Sequence, residues 1–172
     1  MTRAIWLESI VVFAILNCSC AHVPDQKLID NFRANEAIFN QLKDMASVDS
    51  NFTQISPRWV TASGSSSPQA RDKPLSGMDS ERYSEYLNLF KILSLDGGVI
   101  RNAETVWFKA EVASEWNGGI TKGYVYSSYE QGPLVADLDT YVPAPNTESR
   151  RPRFLVFRAL KSHWYLYELS DG

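Results

Sequence analysis

The stretch Val106–Ser127, VWFKAEVASEWNGGITKGYVYS, decides how this chain folds. Two strand-like runs, Val106–Ser114 and Ile120–Ser127, flank Trp116-Asn117-Gly118-Gly119. Asn-Gly between such runs is a strong hairpin signal, because the tight turns that match strand twist need positive φ at their central residues. A two-residue turn at Asn117-Gly118 predicts Val112 opposite Gly123, Ala110 opposite Val125 and Phe108 opposite Ser127. That register leaves one small, apolar face and one carrying Trp107, Lys109, Glu111, Lys122, Tyr124 and Tyr126.

The C-terminus repeats the pattern in Phe154–Leu160 and His163–Leu169, with a tight reversal expected at Lys161-Ser162. Leu155, Phe157, Ala159, Trp164 and Leu166 are then core residues, while Val156, Arg158, His163, Tyr165 and Tyr167 face the other way. If both hairpins join one sheet, its second face is an aromatic belt. Trp107, Tyr124, Tyr126, Tyr165 and Tyr167, with Arg158 among them, are the candidate binding residues. Trp and Tyr suit recognition because they offer large contact area, few rotamers to lose and a polar handle. The same rings are equally well explained if a loop covers them.

Two helices precede this sheet. From Pro24 to about Val48, Leu28, Phe32, Phe39, Leu42 and Ala46 recur at helical spacing, with Asn35 interrupting the stripe. Asp79 caps a second helix from Ser80, where Tyr83, Tyr86, Leu87, Phe90 and Leu93 form the apolar stripe and Asp96-Gly97-Gly98 ends it. Residues 49–75, with Ser63-Gly64-Ser65-Ser66-Ser67-Pro68 inside them, read as a mobile connector pinned by Trp59 and Val60. The loop 132–153 contains Pro133, Pro143, Pro145 and Pro152 and cannot be a central strand. The expected architecture is a single α+β domain over 25–172: two N-terminal helices on one face of an antiparallel, hairpin-built sheet of about four to five strands.

The start of the chain reads as an address. Arg3 is followed by the apolar run Ile10–Leu16 and then Asn17-Cys18-Ser19-Cys20-Ala21. That run is far shorter than the roughly 20 residues of a spanning helix and suits a secretory signal. Ser19-Cys20 resembles the processing site of a bacterial lipoprotein precursor, in which a cysteine is lipidated and becomes the mature N-terminus. The resemblance implies a signal peptide over 1–19, a lipidated, palmitate-bearing Cys20, a tether over 20–24 and a membrane-anchored place in the cell envelope. Cys18 and, by ordinary cleavage after Ala21, His22 are the alternative mature N-termini. The body also resembles uncharacterised exported bacterial proteins through Glu81-Arg82-Tyr83, Leu95-Asp96-Gly97-Gly98 and Trp164-Tyr165-Leu166-Tyr167, a resemblance that carries no activity with it.

Chemistry is sparse by comparison. The 172 residues carry a formal charge of −3 and no basic stripe, which gives nucleic acid no field to follow. Cys18 and Cys20 are the only cysteines and lie outside the body, and the only histidines are His22 and His163, so neither an internal disulfide nor a zinc site is expected. No cofactor motif or nucleophile elbow appears. Asp137 and Asp139, and the basic group Arg150, Arg151 and Arg153, are loop charges that solvation explains. The leading expectation is a noncatalytic envelope protein that binds a partner protein, glycan or small ligand on the aromatic face, with no metal and no catalytic residue. A small enzyme using a carboxylate or His163, and a structural subunit of an envelope assembly, are the alternatives.

Overall fold

The computed structural model describes residues 22–65, 69–70, 78–115, 118–143 and 153–171. Residues 1–21, which include the expected signal peptide with Cys18 and Cys20, the expected turn residue Asn117 with Trp116 before it, and the Arg150-Arg151 pair lie outside the described residues. In chain order the elements are α1 (Asp25–Val48), β1 (Phe52–Ile55), β2 (Trp59–Ala62), β3 (Gln69–Ala70), α2 (Ser80–Leu93), β4 (Gly98–Arg101), β5 (Thr105–Glu115), β6 (Gly118–Ser127), β7 (Phe154–Lys161) and β8 (Trp164–Ser170). Among the described residues no helix is long and apolar enough to cross a membrane.

The sheet differs from the expected four to five strands. It has eight, in the order β3-β2-β1-β4-β5-β6-β8-β7, of which all but the two-residue β3 span four residues or more. The additional strands β1, β2 and β3 come from the stretch read as a mobile connector, and they separate the two helices in sequence. Ser56 explains the local fold: its Oγ accepts the amides of Trp59 at 3.0 Å and Arg58 at 3.3 Å, closing a turn that brings Val60 opposite Ile55. Phe52, Ile55 and Val60 then enter the core. Neither Phe52–Ile55 (FTQI) nor Trp59–Ala62 (WVTA) alternates apolar and polar residues, which is why the sequence conceals them.

Both helices contribute to the main core together with β1, β2, β4, β5, β6, β7 and β8. Phe39 is its hub, with ring centroids 4.5 Å from Tyr124, 5.7 Å from Phe108 and 5.9 Å from Trp164. α1 bends at Asn35, whose φ of −125° and ψ of 21° are not helical. Carbonyls near the bend accept from side chains: Asn35 Nδ2 donates to Asn31 O at 3.1 Å, and Tyr124 Oη donates to Leu28 O at 3.1 Å. Burial pushes the Tyr124 phenol up to about 12, against a smaller opposing effect of Asn31, so it stays a donor. At the other end, Asp49 caps α1 and accepts from Tyr86 Oη at 2.7 Å and Arg82 Nε at 2.8 Å, clasping α1 to α2.

Asp79 Oδ1 accepts the Arg82 amide at 2.7 Å, as its cap position predicts, but α2 ends before the Asp96-Gly97-Gly98 signal, on Ser94 in the left-handed region at φ 55°. Gly98 has φ +74°, and a Cβ there would lie 2.2 Å from Ile55 O. The β4–β1 pairing therefore depends on a residue without a side chain.

Both hairpins depart from the expected register. Phe108 faces Tyr124, not Ser127, because Glu115 pairs Gly118 and a bulge falls between Lys109 and Glu111. In the second, Lys161 pairs Trp164 around a turn at Ser162-His163, where His163 takes φ 67°, and a second bulge follows Ala159. Phe157 consequently faces Tyr167 rather than Leu166. An odd displacement moves side chains to the opposite face. The loop after β6 runs beside β7: Val135 N donates to Phe157 O at 2.7 Å and Phe157 N to Pro133 O at 3.0 Å.

Candidate functional site

The corrected registers divide the predicted aromatic face. Tyr124, fully buried, and Tyr126 belong to the helix side with Phe108, Trp164 and Leu166. Trp107, Tyr165 and Tyr167 belong to a second cluster of strand residues alone, with Val125 and Phe157. Arg158, opposite Leu166 on the helix side, does not join the Trp107 cluster but reaches Asp25 at the start of α1. Tyr165 and Tyr167 are 8% and 1% exposed, and Trp107 stands edge-on to Tyr167 at 4.8 Å, so these rings form an interior rather than an open patch.

Tyr167 Oη has no hydrogen-bond partner among the described residues, and its burial raises the phenol's pKa. A buried hydroxyl without a partner opposes folding. Tyr167→Phe is therefore expected to leave stability unchanged or raise it by up to about 1 kcal/mol in urea denaturation. A loss of more than about 1 kcal/mol would reveal a partner for the hydroxyl.

A dense group of charges among the described residues lies elsewhere, where the chain enters the body. Lys122, 0% exposed, places Nζ 2.6 Å from Asp25 Oδ1 as an ion pair and donates to Asp139 Oδ1. Asp25, 1% exposed, also accepts from Arg158 Nη1 at 2.7 Å and from the Leu138 amide at 2.8 Å, both through Oδ2. Asp139 Oδ2 accepts the Asp25 amide at 2.8 Å, satisfying a free N–H at the α1 N-terminus, and Arg158 reaches Asp137 at 3.3 Å. Glu111 accepts the Val23 amide at 2.8 Å and lies 3.5 Å from His22.

Electrostatics make this cluster a fastening. Burial alone would raise the Asp25 pKa, yet Lys122, Arg158 and the Leu138 amide hold it below the usual carboxylate value. Burial likewise works against the Lys122 ammonium, but Asp139 and Asp25 keep its pKa above the usual lysine value. Both remain ionised at neutral pH, so neither is poised to exchange a proton there. Asp25, Asp137 and Asp139 can bring carboxylate oxygens within 4.8 Å of one another, but Lys122 and Arg158 already occupy that space as cations. A divalent ion would have to displace both. Glu168 has its pKa raised by burial, with Lys122 opposing that effect, and lines a hollow of about 270 Å³ beside His22 and Asp139. His163 stands at the opposite end of β8, with Nδ1 3.0 Å from Ser127 O, and does not converge with these acids.

The third feature is a groove of about 920 Å³ between the end of α2, the β1–β2 turn and β5. Leu87, Phe90, Val112 and the half-buried Trp59 supply its apolar surface. Arg58, Lys91 and Lys109 also line it, against Asp96 as the only acid among the described lining residues. None of the three cations is in an ion pair with a described residue, whereas Lys122, Arg158 and Arg82 all are. Lys109 is half-buried, and burial lowers its pKa against the weaker, opposite influence of Asp171. Sequence reasoning marked Trp59 as a pin and Lys109 as one of many wet side chains, but three cations on three separate elements leave no linear signal.

The fold and these sites define a single-sheet protein carrying two helices, an internal ionic fastening and one cationic groove. Neither a protein-family model, nor a curated protein, nor a solved structure matches the chain.

Proposed function

We propose that this chain is a noncatalytic binding domain of the bacterial cell envelope, anchored by a lipid on Cys20, whose ligand sits in the groove at the end of α2. The observation that carries the binding reading is Lys109: a half-buried ammonium with no ion-pair partner among the described residues, on the wall of a groove of about 920 Å³. Desolvating a cation without a partner is costly, and a bound anion offsets that cost. The volume lies within the roughly 300–1,000 Å³ of small-molecule sites. Support for the anchor comes from Ser19-Cys20 after its apolar run. The body is held to its N-terminal segment from Val23 onward, through Glu111 and Asp139, so a lipid at Cys20 would keep the domain close to the membrane.

One preparation tests both parts: protein recovered from its native envelope as wild type, Cys20→Ser and Val112→Trp. The wild type is expected to partition into detergent and to carry a diacylglyceryl-scale mass increment, both lost in Cys20→Ser. Organic extraction is expected to release a chemically intact small molecule from the wild type and much less from Val112→Trp, whose indole fills the groove. An unmodified product starting at His22 overturns the anchor. Equal extracts from wild type and Val112→Trp overturn the groove as the ligand seat.

A further inference from the structure

Resting on the groove as the ligand seat, we infer that it takes an amphiphile with an acidic headgroup, a carboxylate or a phosphate, gripped by Lys109 with Arg58 and Lys91. The chain as a whole carries −3, yet the described lining holds three cations against Asp96, a local reversal of sign that no ion pair with a described residue consumes. The sign of the head follows from that imbalance.

The position of Lys109 is built into the backbone. Gly97 N donates to Lys109 O at 3.1 Å, and a Cβ on Gly97 would meet Lys109 Cβ at 2.6 Å and Val112 Cγ2 at 2.7 Å. Glycine at 97 thus lets the stems of Lys109 and Val112 pack side by side along the lining. A charged head and an apolar wall lie in one groove, and each excludes a class of ligand. A wholly apolar ligand would strip water from three cations that no described residue pairs, while an inorganic anion would leave Leu87, Phe90 and Trp59 unused.

The test is isothermal titration of the full mature chain with octanoate, octyl phosphate, octanol and inorganic phosphate. At least one octyl anion is expected to bind, with octanol and inorganic phosphate each about tenfold weaker or more, as loss of a charged hydrogen bond or of several buried methylenes requires. Comparison of the two octyl anions tells a carboxylate head from a phosphate head. Lys109→Met, which keeps the stem, is expected to weaken the octyl anions about tenfold and leave octanol unchanged. The exposed double variant Arg58→Gln/Lys91→Gln, checked for an unaltered thermal melt, is expected to weaken them as well.

Octanol binding as tightly as octanoate would overturn the acidic head and leave the groove standing as a seat. Inorganic phosphate matching octyl phosphate would overturn the apolar part. Octyl-anion affinity within about twofold of wild type in both variants, or no binding by any of the four probes, overturns the inference itself; the Val112→Trp extraction reads the groove separately.

Discussion

Lys122→Ala is expected to cost about 3–5 kcal/mol of stability in urea denaturation, because it leaves the Asp25 and Asp139 carboxylates facing one another without the cation between them. Few surface changes approach this size. The ion pair is enclosed, Asp25 and Lys122 being 1% and 0% exposed, and Arg158 alone cannot neutralise two carboxylates. The intact pair also fixes a pH signature. Asp25 titrates below its ordinary value of 3.8 when folded, so its contribution is full above that value and lost as pH falls through the lowered one. Lys122 titrates above its ordinary 10.5, so its contribution is full below that value and lost as pH rises through the raised one. Between these limits the pair contributes a pH-independent share. A loss below about 1 kcal/mol in Lys122→Ala would show the cluster to be open to water, where ion pairs contribute little.

Gly98→Ala is expected to lose about 3 kcal/mol or more, from a left-handed backbone strain of about 1–2 kcal/mol together with overpacking of about 1–3 kcal/mol. The added methyl would stand 2.2 Å from Ile55 O and 2.6 Å from Ser56 Cα, both backbone atoms that cannot rotate aside. Gly64 provides an internal control, with φ +80° and nothing within 4 Å of its hypothetical Cβ. Gly64→Ala should lose only the backbone share, about 1–2 kcal/mol. Equal losses in the two variants would mean that β1 moves away from Gly98 at no cost, contrary to the close approach. Thermal and urea melts of the pair distinguish these results.

Local patterns were legible wherever local physics decides. Helical spacing located α1 and α2, Asn35 fell at the bend, and the Asp79 cap is made as its position implies. Hairpin pairing was legible too, but not its register, because bulges after Lys109 and Ala159 add a residue without leaving a mark in the alternation. Those two bulges moved Tyr124 from the supposed wet face into contact with Phe39 and placed Trp107 and Tyr167 together. The ionic cluster was legible only in fragments. Asp137, Asp139 and Arg158 each drew notice, while the partner that unites them, Lys122, sits among Thr121 and Gly123 in a run that reads as ordinary strand. Its counter-ion Asp25 looked like a first-turn helix acid, since the contacts that give it another role come from residues about a hundred positions away.

The two flanks of the sheet bear on how other molecules can approach it. On one flank, β3 is only two residues long. On the other, Phe157, in the middle of β7, already exchanges its amide and carbonyl with Pro133 and Val135. A visiting polypeptide that seeks to extend the sheet by strand addition thus meets a two-residue strand at one side and, at the other, an edge already bonded at its middle residue. Main-chain templating, the least selective mode of capture available to a β protein, is blunted on both flanks, and discrimination falls to side chains.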